Sequence, residues 1–385
     1  MQDQQKRIYE ESFKFYWKPI LPLFDDEHVS EVMINGPEQI YVERRGRISM
    51  TTTRFPSQNS LLAAIRNAAE YNGRDLDAGN PTMDGRFPDG SRIHVILPPA
   101  ARQGITVTIR RFRKSNFDLG QLVGAQTLTP AAAEYLDLMV KLRRNIIISG
   151  GTGSGKTSLL NALSACIPAH ERLIVIEDTA ELQLASGCHV VSLESRPAVD
   201  GGAALTIREL FANSLRMRPD RVIIGEIRRG EALDLIQSML SGHAGSLSTV
   251  HANTPRDALI RLETLCLMSD SELPIYVARQ QVASAVNVVV QIVRFDDGHR
   301  KVSCISECRG LSSADEHGQY TWNEVFGLHR ELGDTDGQLS RTLIPTGVSI
   351  FSEAVRESIP RRLIRFSEDV WGNADNDQKR KAREI

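Results

Sequence analysis

From residue 130 onward the apolar positions of the chain alternate between two spacings. A helix-spaced stretch from 130 is followed by an apolar run at 145–149, a Gly-rich turn and a second helical stretch from 156. The order then repeats, with apolar runs at 173–177, 222–226 and 247–250 separated by helical stretches from 207 and 231. Short apolar runs suit strands covered on both faces, and their alternation with helices predicts a largely parallel sheet flanked by helices.

Upstream the pattern is mixed. Residues 29–48 read as short strands broken at Asn35-Gly36-Pro37 and Arg45-Gly46, and 59–71 have helical spacing. Asp84-Gly85 and Asp89-Gly90 mark turns before strand-like runs at 92–97 and 105–109, which are expected to pair as a hairpin. The fold class predicted is therefore α/β: a smaller mixed α/β domain at 29–113, a linker at 114–129 containing Gly120 and Gly124, and a larger domain at 130–310 whose first helix follows Thr129 as N-cap. Residues 1–28 set Phe13, Phe15, Tyr16 and Trp17 among charges and read as a helical arm, either a docking or oligomer contact or an ordinary packed helix. Periodicity weakens after Gly310, so 311–385 are expected to form a small appendage with a charged end.

Composition narrows this picture modestly. With 385 residues, 41% of them hydrophobic, the chain can bury two cores. A formal net charge of −2 gives no global attraction to nucleic acid or anionic lipid, although Arg110-Arg111-Phe112-Arg113-Lys114 is locally basic. The five cysteines are scattered without a CxxC pair, as expected of thiols in a reducing cytoplasm. No apolar stretch is long enough for a membrane span, and the charged start lacks a signal peptide's apolar core.

The chemistry sits in the larger domain. IIISGGTGSGKTSLLNAL, residues 146–163, satisfies G-x4-G-K-[ST] between a predicted strand and a predicted helix. The candidate phosphate loop is Gly150-Gly151-Thr152-Gly153-Ser154-Gly155-Lys156-Thr157-Ser158. Its glycines let backbone N–H groups curl round an anion, Lys156 can reach the β- and γ-phosphates, and the Thr157 hydroxyl can ligate Mg²⁺. The implied ligands are ATP and Mg²⁺. RVIIGE, 221–226, delivers Glu226 to the C-terminal end of a strand, where it can serve the metal or the attacking water. LIVIEDTAEL, 173–182, clusters Glu177, Asp178 and Glu181 in the same way, for catalysis or metal positioning; Asp178 could instead cap a helix. His251 follows the run at 247–250 and should emerge on the same edge, where it can sense the γ-phosphate.

These four elements in this order resemble the secretion ATPase superfamily that drives type II secretion, type IV pili and type IV secretion. GGTGSGKT is similar to its Walker A motif, IEDTAEL to its Asp box, RVIIGEIR to its Walker B motif, and residues 242–265 to its His box. EVMINGPEQIYVERRGRI and MDGRFPDGSRIHVILPP are similar to the N-terminal domain of CpaF/TadA-like ATPases of Tad pili and their conjugation relatives. The resemblance covers roughly 25–310. It implies a P-loop RecA-like domain, a homohexamer with ATP held between the two domains, and a cytoplasmic location at the inner membrane through a platform protein of a pilus or secretion system. It also implies that Arg92, Arg102 and Arg110 reach phosphates from the smaller domain. The tetracysteine zinc module of some type II secretion ATPases is absent from the sequence.

Three rival readings are weaker. A RecA-like nucleic-acid motor should show a basic, aromatic channel loop, and direct nucleic-acid binding is not expected here. Leu240-Ser241-Gly242-His243 resembles an ABC-type signature but follows Glu226, where such a signature should precede the Walker B strand. A slow-hydrolysing scaffold would not need Lys156, Thr157 and Glu226 together.

Overall fold

The computed structural model describes residues 2–44, 46–112, 118–184, 188–196, 204–269, 271–312, 318–332, 339–360, 364 and 368–371. The chain divides into two units, Met1–Lys114 and Ser115–Ile385.

The first unit runs α1 (Gln2–Tyr16), a 3-10 turn (Lys18–Ile20), α2 (Leu21–Asp25), β1 (Val29–Asn35), β2 (Gln39–Arg44) and β3 (Arg47–Met50). It continues with α3 (Gln58–Tyr71), β4 (Thr82–Arg86), β5 (Arg92–Ile96) and β6 (Thr106–Arg110). The six strands form one sheet in the order β3-β2-β1-β6-β5-β4, antiparallel at every pairing. Period-two alternation sends Val32, Ile34, Ile93, Val95, Val107 and Ile109 to one face, where Leu61, Ala64, Ile65 and Ala68 of α3 cover them. The N-terminal arm belongs to this core. Trp17 is fully buried, its ring 4.9 Å from Phe87 and 6.1 Å from Phe55, so this part of the arm is packed rather than presented.

The second unit begins with α4 (Leu119–Gly124), α5 (Pro130–Lys141), β7 (Ile146–Ser149), α6 (Lys156–Ser164), β8 (Arg172–Glu177) and β9 (His189–Glu194). Then come α7 (Ile207–Ser214), β10 (Arg221–Ile224), α8 (Glu231–Leu240), β11 (Leu247–Val250), α9 (Pro255–Leu267) and α10 (Ile275–Ala285). It ends with β12 (Val288–Arg294), β13 (Arg300–Leu311), β14 (Tyr320–Leu332), β15 (Leu339–Pro345), α11 (Ser352–Ser358) and α12 (Glu368–Trp371). The sheet order is β15-β14-β13-β12-β7-β11-β10-β8-β9, parallel from β12 to β9 and antiparallel through β13 to β15. Both faces are covered. Ile146 and Ile148 enter one core and Ile147 the other, and Ile223 is likewise divided from Val222 and Ile224.

Two stretches are more ordered than their sequence suggests. Within 114–129, α4 is capped by Asp118, whose side chain accepts from Gln121 N, and Leu122 and Leu128 are buried in the core of the second unit. The stretch expected to be an appendage, 311–385, contributes β14 and β15 to the main sheet. These strands lie beyond the parallel part, where mixed polar and apolar positions replace continuous apolar runs. The charged end, 372–385, lies outside the described residues.

At the sheet edge opposite the glycine-rich loop, Arg221 is fully buried. Its Nε and Nη2 reach both oxygens of Glu171 at 2.5 and 3.0 Å, and Nη1 donates to Val140 O at 2.8 Å.

Candidate nucleotide site

The parallel strands β7, β8, β10 and β11 all end on one edge of the second unit, and each delivers one element of the site. β7 runs into the glycine-rich loop. A side chain at Gly150 would meet Ile292 O at 2.3 Å, so only glycine lets the loop lie against β12. Gly153 and Gly155 have φ of 69° and 102°, in the left-handed region that favours glycine. Gly155 is the N-cap of α6 and offers no side-chain cap, so the first amides of that helix turn toward the loop together with the positive end of its dipole.

Lys156 is 8% exposed, and its ammonium is held by Gly150 O at 3.0 Å and Gly151 O at 2.9 Å. A buried cation, uncapped helix amides and a curled glycine loop form a donor set that fits a polyphosphate. Thr157 Oγ1 donates to Glu181 Oε2 at 3.2 Å. A hydroxyl beside a single carboxylate suits Mg²⁺, which usually keeps several waters and takes one or two protein carboxylates.

The carboxylates divide into three situations. Glu177, 4% exposed, accepts Glu181 N at 2.8 Å and Leu182 N at 3.0 Å through Oε1, so it shapes the turn after β8. A side chain on Gly225 would meet Glu177 Cγ at 3.0 Å, which is how closely the turns after β8 and β10 approach. Asp178 accepts Ser195 Oγ at 2.7 Å and lies 3.3 Å from Arg228 Nη1. Glu226 Oε2 accepts Arg228 Nη2 at 2.6 Å and Nε at 3.0 Å. The turn carrying Glu226 is pinned by Thr249 Oγ1, which donates to Gly225 O at 2.8 Å, and by Ile227 N, which donates to Thr249 O at 2.9 Å.

His251 stands between the loop and Glu226. Its Nε2 lies 2.6 Å from Glu226 Oε1, off the line of a directed hydrogen bond, and both ring nitrogens are 3.4 Å from Lys156 Nζ. Burial and the Lys156 ammonium hold its pKa below the ordinary 6.5, against the opposing pull of Glu226. The imidazole is therefore neutral at pH 7 and can accept or share a proton. Gln291 Nε2 and Ser149 Oγ converge on Ala252 O at 3.2 and 3.4 Å and fix the turn after the histidine.

The structure thus gathers Lys156, Thr157, Glu177, Glu181, Glu226 and His251 on one edge. It sets Glu181, rather than Asp178 or Glu226, against the Thr157 hydroxyl. Among the described residues no group of three or more His, Cys, Asp or Glu side chains is arranged to hold a metal by itself. The three arginines proposed for phosphate contact belong to the first unit. Arg92 and Arg110 are direct cross-strand partners on β5 and β6, whereas Arg102 lies in the loop before β6. Sequence reasoning passed over Arg228 and Gln291. Arg228 had a local signal, since it sits two residues beyond Glu226, but Gln291 is brought in only by the pairing of β12 with β7.

Comparison with known proteins agrees with this geometry. The family described as Type II/IV secretion system protein matches residues 16–339. The conjugal transfer protein TrbB of Rhizobium radiobacter is 35% identical over 280 residues, covering 72% of this chain and 83% of TrbB. The type IV secretion system protein PtlH of Bordetella pertussis is 32% identical over 307 residues, covering 74% of this chain and 91% of PtlH. The X-ray structure of the Yersinia pseudotuberculosis ATPase DotB shares the fold, with a TM-score of 0.55 at 16% identity over 75% of this chain and 78% of DotB. The family match runs through both units and contains all four elements of the site, and on that ground this chain belongs to the Type II/IV secretion system protein family.

Proposed function

We propose that this chain is an ATP-hydrolysing motor of a type IV secretion or conjugation apparatus. The observation that carries the reading is the convergence of Lys156, His251 and Glu226 within 3.4 and 2.6 Å steps at the end of a phosphate loop. The relatives TrbB and PtlH, named for conjugal transfer and type IV secretion, favour that apparatus over the Tad pilus suggested by 31–48 and 83–99. Among the described residues no helix is long and apolar enough to cross a membrane; attachment to an inner-membrane platform through other proteins belongs to the proposal. A homohexameric, cytoplasmic assembly is part of this proposal.

Each residue has a role that its geometry supports. Lys156 compensates charge on the β- and γ-phosphates, and the α6 amides receive the phosphate oxygens. Mg²⁺, when bound, neutralises phosphate charge, and Thr157 with Glu181 or Glu226 would hold it. Glu226, anchored by Arg228 on one oxygen, presents the other toward His251 and can orient the attacking water. The neutral His251 reports the charge state beside Lys156.

Steady-state phosphate release from the full chain tests the reading. Glu226→Gln should retain ATP binding and lose roughly two or more orders of magnitude in turnover. Lys156→Ala should abolish hydrolysis. Near wild-type turnover in both variants would overturn the assignment. Complementation of a host lacking the gene, scored for conjugation or secretion and for pili, separates the two kinds of apparatus.

A further inference from the structure

The outer side of the phosphate loop carries two cations to which the family motifs assign no role. β12 and β13 form the antiparallel pair on which the loop rests, and Arg294 of β12 is the direct cross-strand partner of Arg300 of β13. Residues so paired project to the same face with Cβ atoms about 4.5–5.5 Å apart. Both guanidinium groups are brought to Gly153. Arg300 Nε donates to Gly153 O at 2.9 Å, and a side chain on Gly153 would meet Arg294 Nη1 at 3.3 Å. The stem of Arg300 also runs along the loop, since a side chain on Gly155 would meet its Cδ at 3.2 Å.

An anion placed between two guanidinium groups is attracted to both. The place where this pair stands is the middle of a phosphate loop. Lys156, in the first turn of α6, sets its ammonium against the Gly150 and Gly151 carbonyls and beside His251. We propose that Arg294 and Arg300 form a clamp, supplied by the same subunit, that grips the α- and β-phosphates of the bound nucleotide from the β12–β13 side. The inference rests on the nucleotide reading above and deepens it. Lys156 and His251 answer to the γ-phosphate end, while the arginine pair holds the part of the ligand that survives hydrolysis. The pair therefore governs retention of ADP as much as capture of ATP.

Calorimetric titration of the full chain with ATP, ADP and inorganic tripolyphosphate, with Mg²⁺, tests this. Arg294→Gln and Arg300→Gln should each weaken all three ligands by about 5- to 50-fold, the scale of a charge-assisted contact reduced for solvent exposure. The ratio of ATP to ADP affinity should stay unchanged, and the dependence of affinity on salt should become shallower. Arg300→Lys, which keeps a charge and a donor for Gly153, should recover part of the loss. Thermal unfolding midpoints near wild type establish that the variants are folded. Unchanged affinities in folded variants would overturn the clamp, as would weaker nucleotide binding with unchanged tripolyphosphate binding, which would place the arginines on the base. Lys156→Ala is the separate control: if it binds ATP normally, the nucleotide site itself is misassigned, and if only it loses binding, the clamp alone fails.

Discussion

Arg228→Ala isolates an interaction of the site to which the motifs assign no role. The guanidinium places Nη2 and Nε at 2.6 and 3.0 Å from a single oxygen of Glu226, and Nη1 at 3.3 Å from Asp178. It is a positioning residue, acting through the carboxylate that faces His251. A charge-assisted hydrogen bond is worth about 1.5–3 kcal/mol when sheltered. The Arg228 side chain is 54% exposed and Glu226 20%, so solvent screening reduces the figure to about 1–2 kcal/mol. If that energy orients Glu226 for the transition state, turnover should fall about 5- to 30-fold, with little change in ATP affinity. The assay is steady-state phosphate release for Arg228→Ala, Glu226→Gln and the double variant. Because Arg228 works through Glu226, its removal should add little once Glu226 is glutamine. Wild-type turnover in Arg228→Ala, or the same fold loss in the Glu226→Gln background, would refute the reasoning.

Other consequences follow from the same geometry. His251 has a folded-state pKa below 6.5, so the unfolded chain takes up its proton first: stability from the neutral ring is present above 6.5 and is lost as pH falls from 6.5 through the lower folded value. The acid limb of kcat/KM should accordingly lie below 6.5 and flatten in His251→Asn; an unchanged profile would exclude the imidazole. Arg221→Ala removes both guanidinium contacts of the buried Glu171, leaving Arg143 at 3.9 Å, and should cost up to about 3–5 kcal/mol in a urea melt. Burial opposes the Glu171 charge but the Arg221 hydrogen bonds prevail and lower its pKa, so this stability is present above the ordinary carboxylate value and is lost in acid as pH falls toward the folded value; a wild-type acid limb in the variant would contradict the pairing. If the first unit supplies phosphate-contacting arginines, alanine at Arg92, Arg102 or Arg110 should cut hydrolysis by up to about 10³-fold with ATP binding retained. Effects at the paired Arg92 and Arg110 should be non-additive, while Arg102, in the loop before β6, should add independently.

The sequence was most legible where one structural demand leaves few solutions. The strands β7, β8, β10 and β11 are covered on both faces, so they appear as short apolar runs, and the alternation with helices alone assigns the residues at their ends to one edge. The phosphate loop was legible because its glycines are forced by φ and by the 2.3 Å approach of Ile292 O. What escaped was set by neighbours distant in sequence. β14 and β15 are recruited through antiparallel pairing with β13, and nothing local separates such strands from an amphipathic tail. The aromatics of the N-terminal arm fit a docking contact as well as a packed helix, because the residues that enclose Trp17, Phe55 and Phe87, lie far along the chain. Among the carboxylates, the pairing of Thr157 with Glu181 depends on how the turn after β8 folds over α6, and the spacing within Glu177-Asp178-Thr179-Ala180-Glu181 does not reveal it.

The link between the phosphate loop and Glu226 can be measured directly, because Lys156 and Glu226 act on His251 with opposite signs. The Lys156 ammonium stands 3.4 Å from both ring nitrogens and adds to the burial that lowers the imidazole pKa; Glu226, 2.6 Å from Nε2, works the other way. Lys156→Met should raise the His251 pKa part of the way toward 6.5, since burial remains, and Glu226→Gln should lower it further. Titration of the His251 ring protons by NMR, identified by comparison with His251→Asn, reads both shifts in the nucleotide-free chain. An anion that draws Lys156 off the Gly150 and Gly151 carbonyls would have the same sign of effect as Lys156→Met, so inorganic tripolyphosphate should also move the pKa upward. If neither substitution moves it, the contacts of His251 do not set its charge, and the imidazole cannot carry information from the loop to Glu226.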